Sequence, residues 1–350
     1  MRQPRYQFRD GIHVYSLPHA AYWLSGFGIV SQRLTDLAVI DKLLTSSKIA
    51  RFARNLHAKY DFSLVHGHET YIGDEAATIG RMLRIPSVFT LDGVYWYHVK
   101  NFGKVVLNRA IANINACNRL IALSRVSAES YREHGVCREF DLIPNGIDLQ
   151  TLGSPYPRVP DDVAAFTRGK FVLLTVGFFT AEKRIEQSIR TLARLHRIGL
   201  RNTVLMIIGK GRLEAWYRRI IDQEQLGHAV RIVGEVPPQD MPGYYSVADV
   251  LVHPSVVESF SMVCLEAMSR GKPIVCTSNI GLVDYLHPGR DAIVIPPDDP
   301  EALYQAVLGL IQDASRQRAL GEEARETAAR LSWPDQVRKI ERLYEQVLSE

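Results

Sequence analysis

The stretch H-P-S-V-V-E-S-F-S-M-V-C-L-E-A-M, residues 253–268, decides the fold of this chain. It follows the apolar run Val250–Val252, which is typical of a buried strand, and it ends in a segment with helical periodicity. A strand, a short loop and a helix in this order belong to the βαβ units from which parallel sheets are built. The loop carries Glu258 and the helix carries Glu266, so two carboxylates flank the start of one helix.

The start of this helix is expected to bind an anion. Ser259, Phe260 and Ser261 would place backbone N–H groups at its N-terminus, where the first N–H groups have no intrahelical partner and the helix dipole adds positive charge. Spacing alone would equally fit two glutamates on a solvated helix surface. However, Glu258 follows a strand end and Glu266 lies in an apolar run, which favours a binding site. Amides and carboxylates together suit a phosphorylated polyol.

Apolar runs alternate with helical patterns along most of the chain, which predicts parallel α/β sheets with helices on both faces. The strands predicted in the first half are Ile12–Leu17, Phe62–His66, Ser87–Leu91, Leu120–Leu123 and Phe140–Ile143. Those predicted in the second half are Phe171–Gly177, Val204–Gly209, Val230–Val233, Val250–Val252, Pro273–Thr277 and Ala292–Ile295.

A proline-rich segment without a clear period, residues 150–170, interrupts this alternation. We therefore predict a doubly wound domain over residues 1–147 and a linker region over 148–170. A second doubly wound domain follows over 171–331, and a C-terminal helix over 332–350 would pack back across the domains. Two such domains are expected to face a cleft, with ligands at the C-terminal ends of the strands.

Composition narrows the function classes. The chain has 350 residues and a net charge of +4, which suits an anionic ligand or membrane surface but is too weak to indicate nucleic acid. The four cysteines form no CxxC pair, so free thiols in a reducing compartment are expected. Neither a signal peptide nor a membrane span is apparent, and a cytoplasmic location, with peripheral contact to the membrane, is the expectation.

The segment around Glu258 resembles the donor-binding signature of retaining glycosyltransferases of family four, which have the GT-B fold. The family pattern is P-S-x-x-E-x-F-x-x-x-x-L-E-A-M-A-x-G-x-P-V-V. At the positions of this pattern the sequence offers Pro254, Ser255, Glu258, Phe260, Leu265, Glu266, Ala267, Met268, Gly271, Pro273, Ile274 and Val275, with isoleucine in place of the first valine. Four further segments are similar to family segments: Ile143–Asp148, Glu182–Arg184, Ile208–Gly211 and Val233–Val236.

The resemblance implies a role for each matched position on the donor side. Glu258 would contact the hydroxyls of the transferred sugar and act in catalysis, and Glu266 would accept hydrogen bonds from the ribose. The diphosphate would be bound by the backbone at Gly177, by the side chain of Lys183 and by the amides of Ser259, Phe260 and Ser261. The base would lie against Gly209, Val233 and Gly234. Without the family, Lys183 fits an exposed first-turn lysine equally well, and each glycine fits an ordinary turn.

The first domain is expected to supply the acceptor side. His66, His68 and Glu69 follow a predicted strand, and Tyr95 belongs to an aromatic run that would stack on a sugar or pack a loop. His66 and His68 could form a metal pair, but no third ligand stands nearby, so a structural or acceptor-lining role is favoured and no metal site is predicted. Asp92 takes the place where the family usually has a histidine beside the transferred sugar, and it is the second predicted catalytic residue.

Two other departures from the family bear on activity. Phe178 stands where the family usually has an arginine that binds the diphosphate. The strand, glycine-rich turn, helix and second strand with which family members begin have no counterpart before Ile12. The first domain is therefore expected to lack its first β-α-β unit, which would leave sheet edges open unless a partner chain covers them.

The expected activity is transfer of a hexose from a UDP- or GDP-sugar to a hydroxyl of a glycan, a lipid or a small polyol, with retention and without a cofactor. Two alternatives stay open. One is a nucleotide-sugar-binding protein that is non-catalytic or needs a partner, and the other is an epimerase on the same fold.

Overall fold

The chain forms two compact units in a computed structural model, which describes residues 5–9, 11–16, 34–68, 73–93, 104–149 and 159–350. The first unit comprises residues 1–122, 128–142 and 342–350, and the second comprises 123–127 and 143–341. The C-terminal helix, Trp333–Ser349, is thus divided between the units.

The first unit contains a parallel sheet of four strands in the order β3-β4-β5-β6. Its strands are β3 (Val65–His68), β4 (Ser87–Leu91), β5 (Arg119–Ala122) and β6 (Phe140–Leu142). All five residues of β4 are buried, as expected of an inner strand of a parallel sheet that is covered on both faces. The helices in the described part of this unit are α1 (Leu34–Tyr60), α2 (Ala76–Leu83), α3 (Lys104–Asn115) and α4 (Arg125–Arg132), and the first three residues of α4 belong to the segment 123–127 of the second unit.

The predicted strand at Ile12–Leu17 does form, as β2 (Ile12–Ser16), but it does not join the parallel sheet. It pairs antiparallel with β1 (Arg5–Arg9) in a separate two-stranded sheet, with Tyr6 opposite Tyr15. The apolar run was read correctly as a strand, whereas its place in the parallel series was wrong. The sequence between the two strands explains the difference, because an Asp-Gly dipeptide strongly favours a hairpin, and Gly11 has a φ of 80°.

The second unit contains a parallel sheet of six strands in the order β12-β11-β10-β7-β8-β9. Its strands are β7 (Phe171–Val176), β8 (Thr203–Ile208), β9 (Val230–Gly234), β10 (Val250–His253), β11 (Ile274–Thr277) and β12 (Ile293–Ile295). Its helices are α5 (Asp161–Thr167), α6 (Ile185–Arg197), α7 (Glu214–Gln223), α8 (Met241–Val247), α9 (Met262–Ser269), α10 (Pro300–Gln312) and α11 (Ala314–Arg330), followed by the divided α12 (Trp333–Ser349). The predicted α/β class with two parallel sheets is confirmed.

The strand order reverses at β7, since β8 lies on one side of it and β10 on the other. In open parallel sheets such a switch point opens a crevice beyond the carboxyl ends of the two strands, and ligands bind there. The loops after β7 and β10 carry Gly177 and Glu258, so the sheet itself brings the two predicted donor motifs to one crevice.

Candidate active site

A cavity of about 690 Å³ lies at the carboxyl ends of β7 and β8 and at the start of α9, within the second unit. This size suits a ligand of the nucleotide-sugar class. Its lining includes both glutamates of the opening motif and the predicted phosphate lysine. The lining residues are Val176, Gly177, Phe178, Lys183, Ile208, Gly209, Lys210, Glu235, Val236, Pro237, Pro238, Met241, Glu258, Met262, Val263 and Glu266.

The main chain of Glu258 is bonded on both sides, which fixes where its side chain starts. Its N–H donates to the carbonyl of Asn279 at 3.2 Å, and its carbonyl accepts from the N–H of Gly281 at 2.9 Å. Just ahead in the chain, the N–H of Val256 donates to the carbonyl of Glu182 at 2.8 Å. The loop after β10 is therefore tied to two neighbouring loops although it has no regular structure of its own.

The carboxylate of Glu258 has two cationic or hydrogen-bonding partners. Lys183 Nζ donates to its Oε1, and His253 Nε2 lies 2.8 Å from the same oxygen. Burial opposes ionisation of this carboxyl, but His253 and Lys183 outweigh burial and hold its pKa well below the usual range. Glu258 is thus ionised at neutral pH and acts as an acceptor only.

Glu266 differs from Glu258 because, among the residues that the structure describes, no cation forms an ion pair with it. Its Oε2 accepts from the hydroxyl of Tyr245 at 2.6 Å, and its side chain lines the cavity from the second turn of α9. Burial raises the pKa of Glu266, and the Tyr245 hydrogen bond partly offsets this effect. A half-buried carboxylate of this kind is well suited to accept from ligand hydroxyls, since new hydrogen bonds stabilise its charged form.

The helix start lies later than the sequence indicates. Helix α9 begins at Met262, with Ser261 as the preceding residue at a φ of 89°. The first-turn amides therefore belong to Met262 and Val263, which line the cavity, whereas Ser259 and Phe260 precede the helix. Phe260 is buried, and its carbonyl accepts from Leu282 at 2.8 Å. The apolar side chain at 260 is a core residue, which sequence periodicity could not distinguish from a helix-start position.

Glycines at the strand ends allow the walls of the cavity to come close together. The N–H of Gly209 donates to the carbonyl of Gly234 at 2.8 Å, and the N–H of Gly177 donates to that of Ile208 at 3.0 Å. At Gly209 the φ is 134°, and a Cβ would lie 2.0 Å from the carbonyl oxygen of Gly177. Only glycine fits here. Gly177 and Gly209, both predicted donor-site residues, line the cavity. Val233 and Gly234, which were predicted to contact the base, are not among its lining residues.

The segment Glu235–Pro238 lines the cavity where the base was predicted against Val233 and Gly234. The sequence indicated Val233–Val236 through its similarity to a family segment, but the predicted base contacts stopped at Gly234 and omitted Glu235, Val236, Pro237 and Pro238. Sequence reasoning also missed Tyr245 and His253, the partners of the two glutamates. His253 stood in the opening motif itself, and its position five residues before a carboxylate at a strand end was an available signal.

In the first unit, His66 lies inside a hydrogen-bonded cluster rather than in an open site. Its Nδ1 is 2.5 Å from the hydroxyl of Tyr344, and its Nε2 is 2.7 Å from Thr90 Oγ1. Burial, with help from the neighbouring charge of His68, lowers the pKa of His66 to about 4, although Asp92 opposes this shift. His66 is therefore neutral at pH 7.

His68 and Asp92 form a pair at the carboxyl ends of the adjacent strands β3 and β4. His68 Nδ1 lies 3.1 Å from Asp92 Oδ2, and the His68 side chain is 58% exposed, so an acceptor could reach it. The described residues contain no group of three His, Cys, Asp or Glu side chains that could hold a metal. Glu69 and Tyr95, the other predicted acceptor-side residues, lie outside the described residues.

Comparison with known proteins places both halves of the chain in one family. Residues 161–327 match the model of glycosyl transferases group 1, and residues 15–151 match that of glycosyltransferase family 4. The D-inositol 3-phosphate glycosyltransferase of Corynebacterium jeikeium is 34% identical over 329 residues, which cover 86% of this chain and 76% of that protein. The chain belongs to glycosyltransferase family four. It is a retaining glycosyltransferase that uses a nucleotide sugar.

A second relative matches over a shorter segment. The D-inositol 3-phosphate glycosyltransferase of Corynebacterium urealyticum is 36% identical over 123 residues, 35% of this chain and 29% of that protein.

Solved structures show the same GT-B architecture. Sucrose-phosphate synthase from Thermosynechococcus elongatus superposes with a TM-score of 0.76 at 24% identity, covering 100% of this chain and 86% of that one. Anabaena Alr3699/HepE, solved in complex with UDP, superposes with a TM-score of 0.72 at 20% identity, covering 87% and 82%. The predicted GT-B fold is thereby confirmed. Among the described residues, no helix has the length and hydropathy that crossing a membrane requires.

Proposed function

We propose that this glycosyltransferase moves a hexose from a nucleoside-diphosphate sugar to a hydroxyl acceptor, and that the cavity in the second unit binds the donor. The observation that carries the proposal is the placement of two carboxylates, Glu258 and Glu266, and one ammonium, Lys183, around the start of α9 on one cavity. A nucleotide sugar needs this set: acceptors for its sugar and ribose hydroxyls, and positive charge for its diphosphate.

Each part of the nucleotide sugar can be assigned to a group of residues that line the cavity. The base would lie against Glu235–Pro238 and the ribose hydroxyls would donate to Glu266. The diphosphate would take the amides of Met262 and Val263 and the charge of Lys183, and the hexose would reach Glu258. UDP-glucose is the first donor to test, because HepE was solved with UDP and with UDP-glucose, and GDP-sugars are the second choice.

The proposed chemistry is a front-side displacement. The acceptor oxygen bonds to the anomeric carbon as the bond from that carbon to the diphosphate oxygen breaks, and the acceptor proton passes to the departing phosphate oxygen. Negative charge grows on the diphosphate during this step, where the helix start and Lys183 stabilise it. Glu258 orients the hexose, so the protein contributes positioning and electrostatic stabilisation rather than a separate base. No cofactor is required by this scheme.

The first unit would supply the acceptor side. The exposed His68 imidazole, paired with Asp92, can hydrogen-bond an acceptor hydroxyl and would take the place of the histidine that the family usually has at position 92. A small phosphorylated polyol is the first acceptor to test, because the Corynebacterium relatives are named as D-inositol 3-phosphate glycosyltransferases. Glycans and lipid-linked hydroxyls are the alternatives.

A peripheral membrane contact would bring lipid-linked acceptors within reach. The hairpin exposes Phe8 and Ile12, at 61% and 63%, and it packs on α1 through Tyr15 and Phe52, whose ring centroids are 5.3 Å apart. Residues 45–60 of α1 expose Lys48, Arg51, Arg54 and Lys59 and contain no carboxylate. Flotation with anionic vesicles, but not with zwitterionic vesicles, would support this contact, and loss of flotation in Phe8→Ser/Ile12→Ser would locate it.

A second candidate is a nucleotide-sugar-binding subunit that needs a partner chain or does not turn over. Phe178 favours it, because this side chain lines the cavity and is 67% exposed at a position where the family usually has a phosphate-binding arginine. The epimerase alternative is disfavoured by the sequence motif around Glu258, which resembles the donor-binding signature of the glycosyltransferase family.

The test measures donor binding, donor hydrolysis and transfer separately. Calorimetry with UDP, GDP, UDP-glucose and GDP-mannose identifies the donor, and product analysis with inositol phosphate and a glycan panel then follows transfer and the anomeric configuration of the product. Transfer with retention is the expected result. Binding without turnover over the whole panel would support the binding subunit, and failure to bind any of the four nucleotides would refute both functions.

A further inference from the structure

The proposed function gives no role to His253, a buried side chain next to the donor cavity. His253 ends β10, is 2% exposed, and lies behind Glu258 rather than in the cavity wall. Its Nε2 is 2.8 Å from Glu258 Oε1 and 3.2 Å from Ser261 Oγ. Because an ionised carboxylate can only accept, Nε2 carries the hydrogen and donates it to Glu258.

Lys183 donates to the same oxygen of Glu258. Both hydrogen bonds use Oε1, and neither uses Oε2, so the carboxylate is held by one oxygen and can present the other to a ligand. The two hydrogen-bond donors to Glu258 differ in conformational freedom. The imidazole of His253 is fixed by burial, whereas the ammonium of Lys183 ends a flexible stem that lines the cavity.

We propose that His253 is the permanent positioning partner of Glu258 and that Lys183 is its exchangeable partner. When a donor diphosphate enters, Lys183 turns from Glu258 to the phosphate oxygens, and His253 alone keeps the carboxylate ionised and oriented toward the hexose. This inference rests on the proposed function. The exchange balances charge, because the ammonium moves from one anion to another within the cavity while Glu258 keeps a hydrogen-bonded imidazole.

Ser261 connects this pair to the diphosphate end of the cavity. It directly precedes α9 in a left-handed conformation, with a φ of 89°, that non-glycine residues rarely adopt. Its hydroxyl lies beside His253 Nε2, so the imidazole contacts both the sugar carboxylate and the residue at the start of the helix. A strained residue held at a ligand site is consistent with a conformation that binding requires.

If this exchange of partners occurs, His253 should affect the binding of the sugar part of the donor and not the binding of its nucleotide part. In calorimetry with UDP and UDP-glucose, His253→Ala should leave UDP affinity within about threefold of wild type. The same variant should reduce UDP-glucose affinity and turnover by tenfold or more, the effect expected from losing a hydrogen bond to a charged group. His253→Gln, whose amide can still donate to Glu258, should recover most of the loss. The shorter His253→Asn should not, and the exposed His228→Gln is the matched control.

A double-mutant cycle distinguishes positioning from a general structural role. If His253 acts through Glu258, then His253→Ala should cost nothing further in a Glu258→Gln background. An unchanged preference for UDP-glucose over UDP in His253→Ala, or losses that add in the double variant, would overturn the inference while leaving the proposed function intact. If His253→Ala does not fold, the Gln and Asn variants carry the same comparison, and equal behaviour of those two would overturn the inference. A wild-type protein that binds no nucleotide would refute the proposed function itself.

Discussion

The two units of this chain hold their ionisable side chains in different ways. In the second unit, Glu258, Glu266 and Lys183 line a single cavity, and the carboxylate of Glu258 is kept ionised by His253 and Lys183. In the first unit, His66 is kept neutral by burial among hydrogen-bonding neighbours, and the pair of His68 and Asp92 lies at strand ends. Charged groups around a cavity indicate ligand binding, whereas the imidazole of His66 bonds only to protein groups in its described contacts, which indicates a structural role.

The largest expected effect tests the second unit at Glu258. Glu258→Gln removes the charge but keeps the shape, so the fold should persist while the orientation of the hexose is lost. We expect transfer to fall by about 100- to 1000-fold in a steady-state assay, with UDP binding retained. The exposed Glu322→Gln on α11 is the matched control and should behave like wild type. Unchanged turnover in Glu258→Gln would show that the cavity is not the catalytic centre.

The second-largest expected effect is a loss of UDP affinity on removal of Lys183, the cation that lines the same cavity. Lys183→Ala removes the charge that the proposal assigns to the diphosphate, so affinity for UDP should fall by about 10- to 100-fold in calorimetry. Arg318→Ala removes a cation from an exposed position of α11 and should have no effect. Equal UDP affinity in Lys183→Ala and wild type would mean that the pair with Glu258 is a purely structural ion pair.

The difference between the two units can also be tested by measuring how the stability contributed by His66 in the first unit depends on pH. Because the pKa of His66 is lowered to about 4, the folded state binds this proton less readily than the unfolded chain does. The stability that this group contributes is therefore present above pH 6.5 and is lost as pH falls toward 4. At pH 5 the loss should be about 2 kcal/mol.

Urea unfolding of wild type and His66→Gln at pH 7 and pH 5 checks this loss. The pH-dependent difference should disappear in the variant, and the NMR titration of His66 should have its midpoint near the pKa of about 4. A midpoint near 6.5 would show that His66 is solvated, and the acceptor side would then be as open as the donor side.

The smallest expected effect is a change in UDP affinity on substitution of Phe178, which tests where the diphosphate lies in the second unit. Phe178 is exposed on the cavity, at the position where the family usually has a phosphate-binding arginine. Phe178→Arg should raise UDP affinity by about three- to tenfold, since a partly solvated ion pair adds little more than 1 kcal/mol. Phe178→Gln, which is polar but uncharged, should not raise it. A weaker affinity in the arginine variant would show that the diphosphate does not approach position 178.

The sequence predicted the second unit better than the first for a physical reason. The sheet there is a regular parallel series, and strand ends such as Gly177 and Glu258 reach one crevice because of strand order alone. The start of α9 was placed too early, because Phe260 packs into the core although its neighbours suit a helix start. In the first unit, β2 joined a hairpin instead of the parallel sheet, since an apolar run does not specify its partner strand.

Contacts between residues far apart in the chain could not be inferred from spacing. His66 forms a hydrogen bond with Tyr344, which lies 278 residues later in the chain. Glu266 accepts a hydrogen bond from Tyr245, which lies on a different helix. His253, in contrast, lay within the motif that was read first, and the rule that a buried carboxylate needs a partner could have identified it.

The central claim is that the donor binds in the cavity of the second unit, between Glu258 and Glu266. A crystal structure of the full chain with UDP tests this claim most directly. The account predicts ribose hydroxyls within hydrogen-bond distance of Glu266, diphosphate oxygens at the amides of Met262 and Val263, and Lys183 Nζ moved from Glu258 to the phosphate. UDP bound at any other surface, or a diphosphate that leaves the ion pair of Lys183 and Glu258 in place, would contradict it.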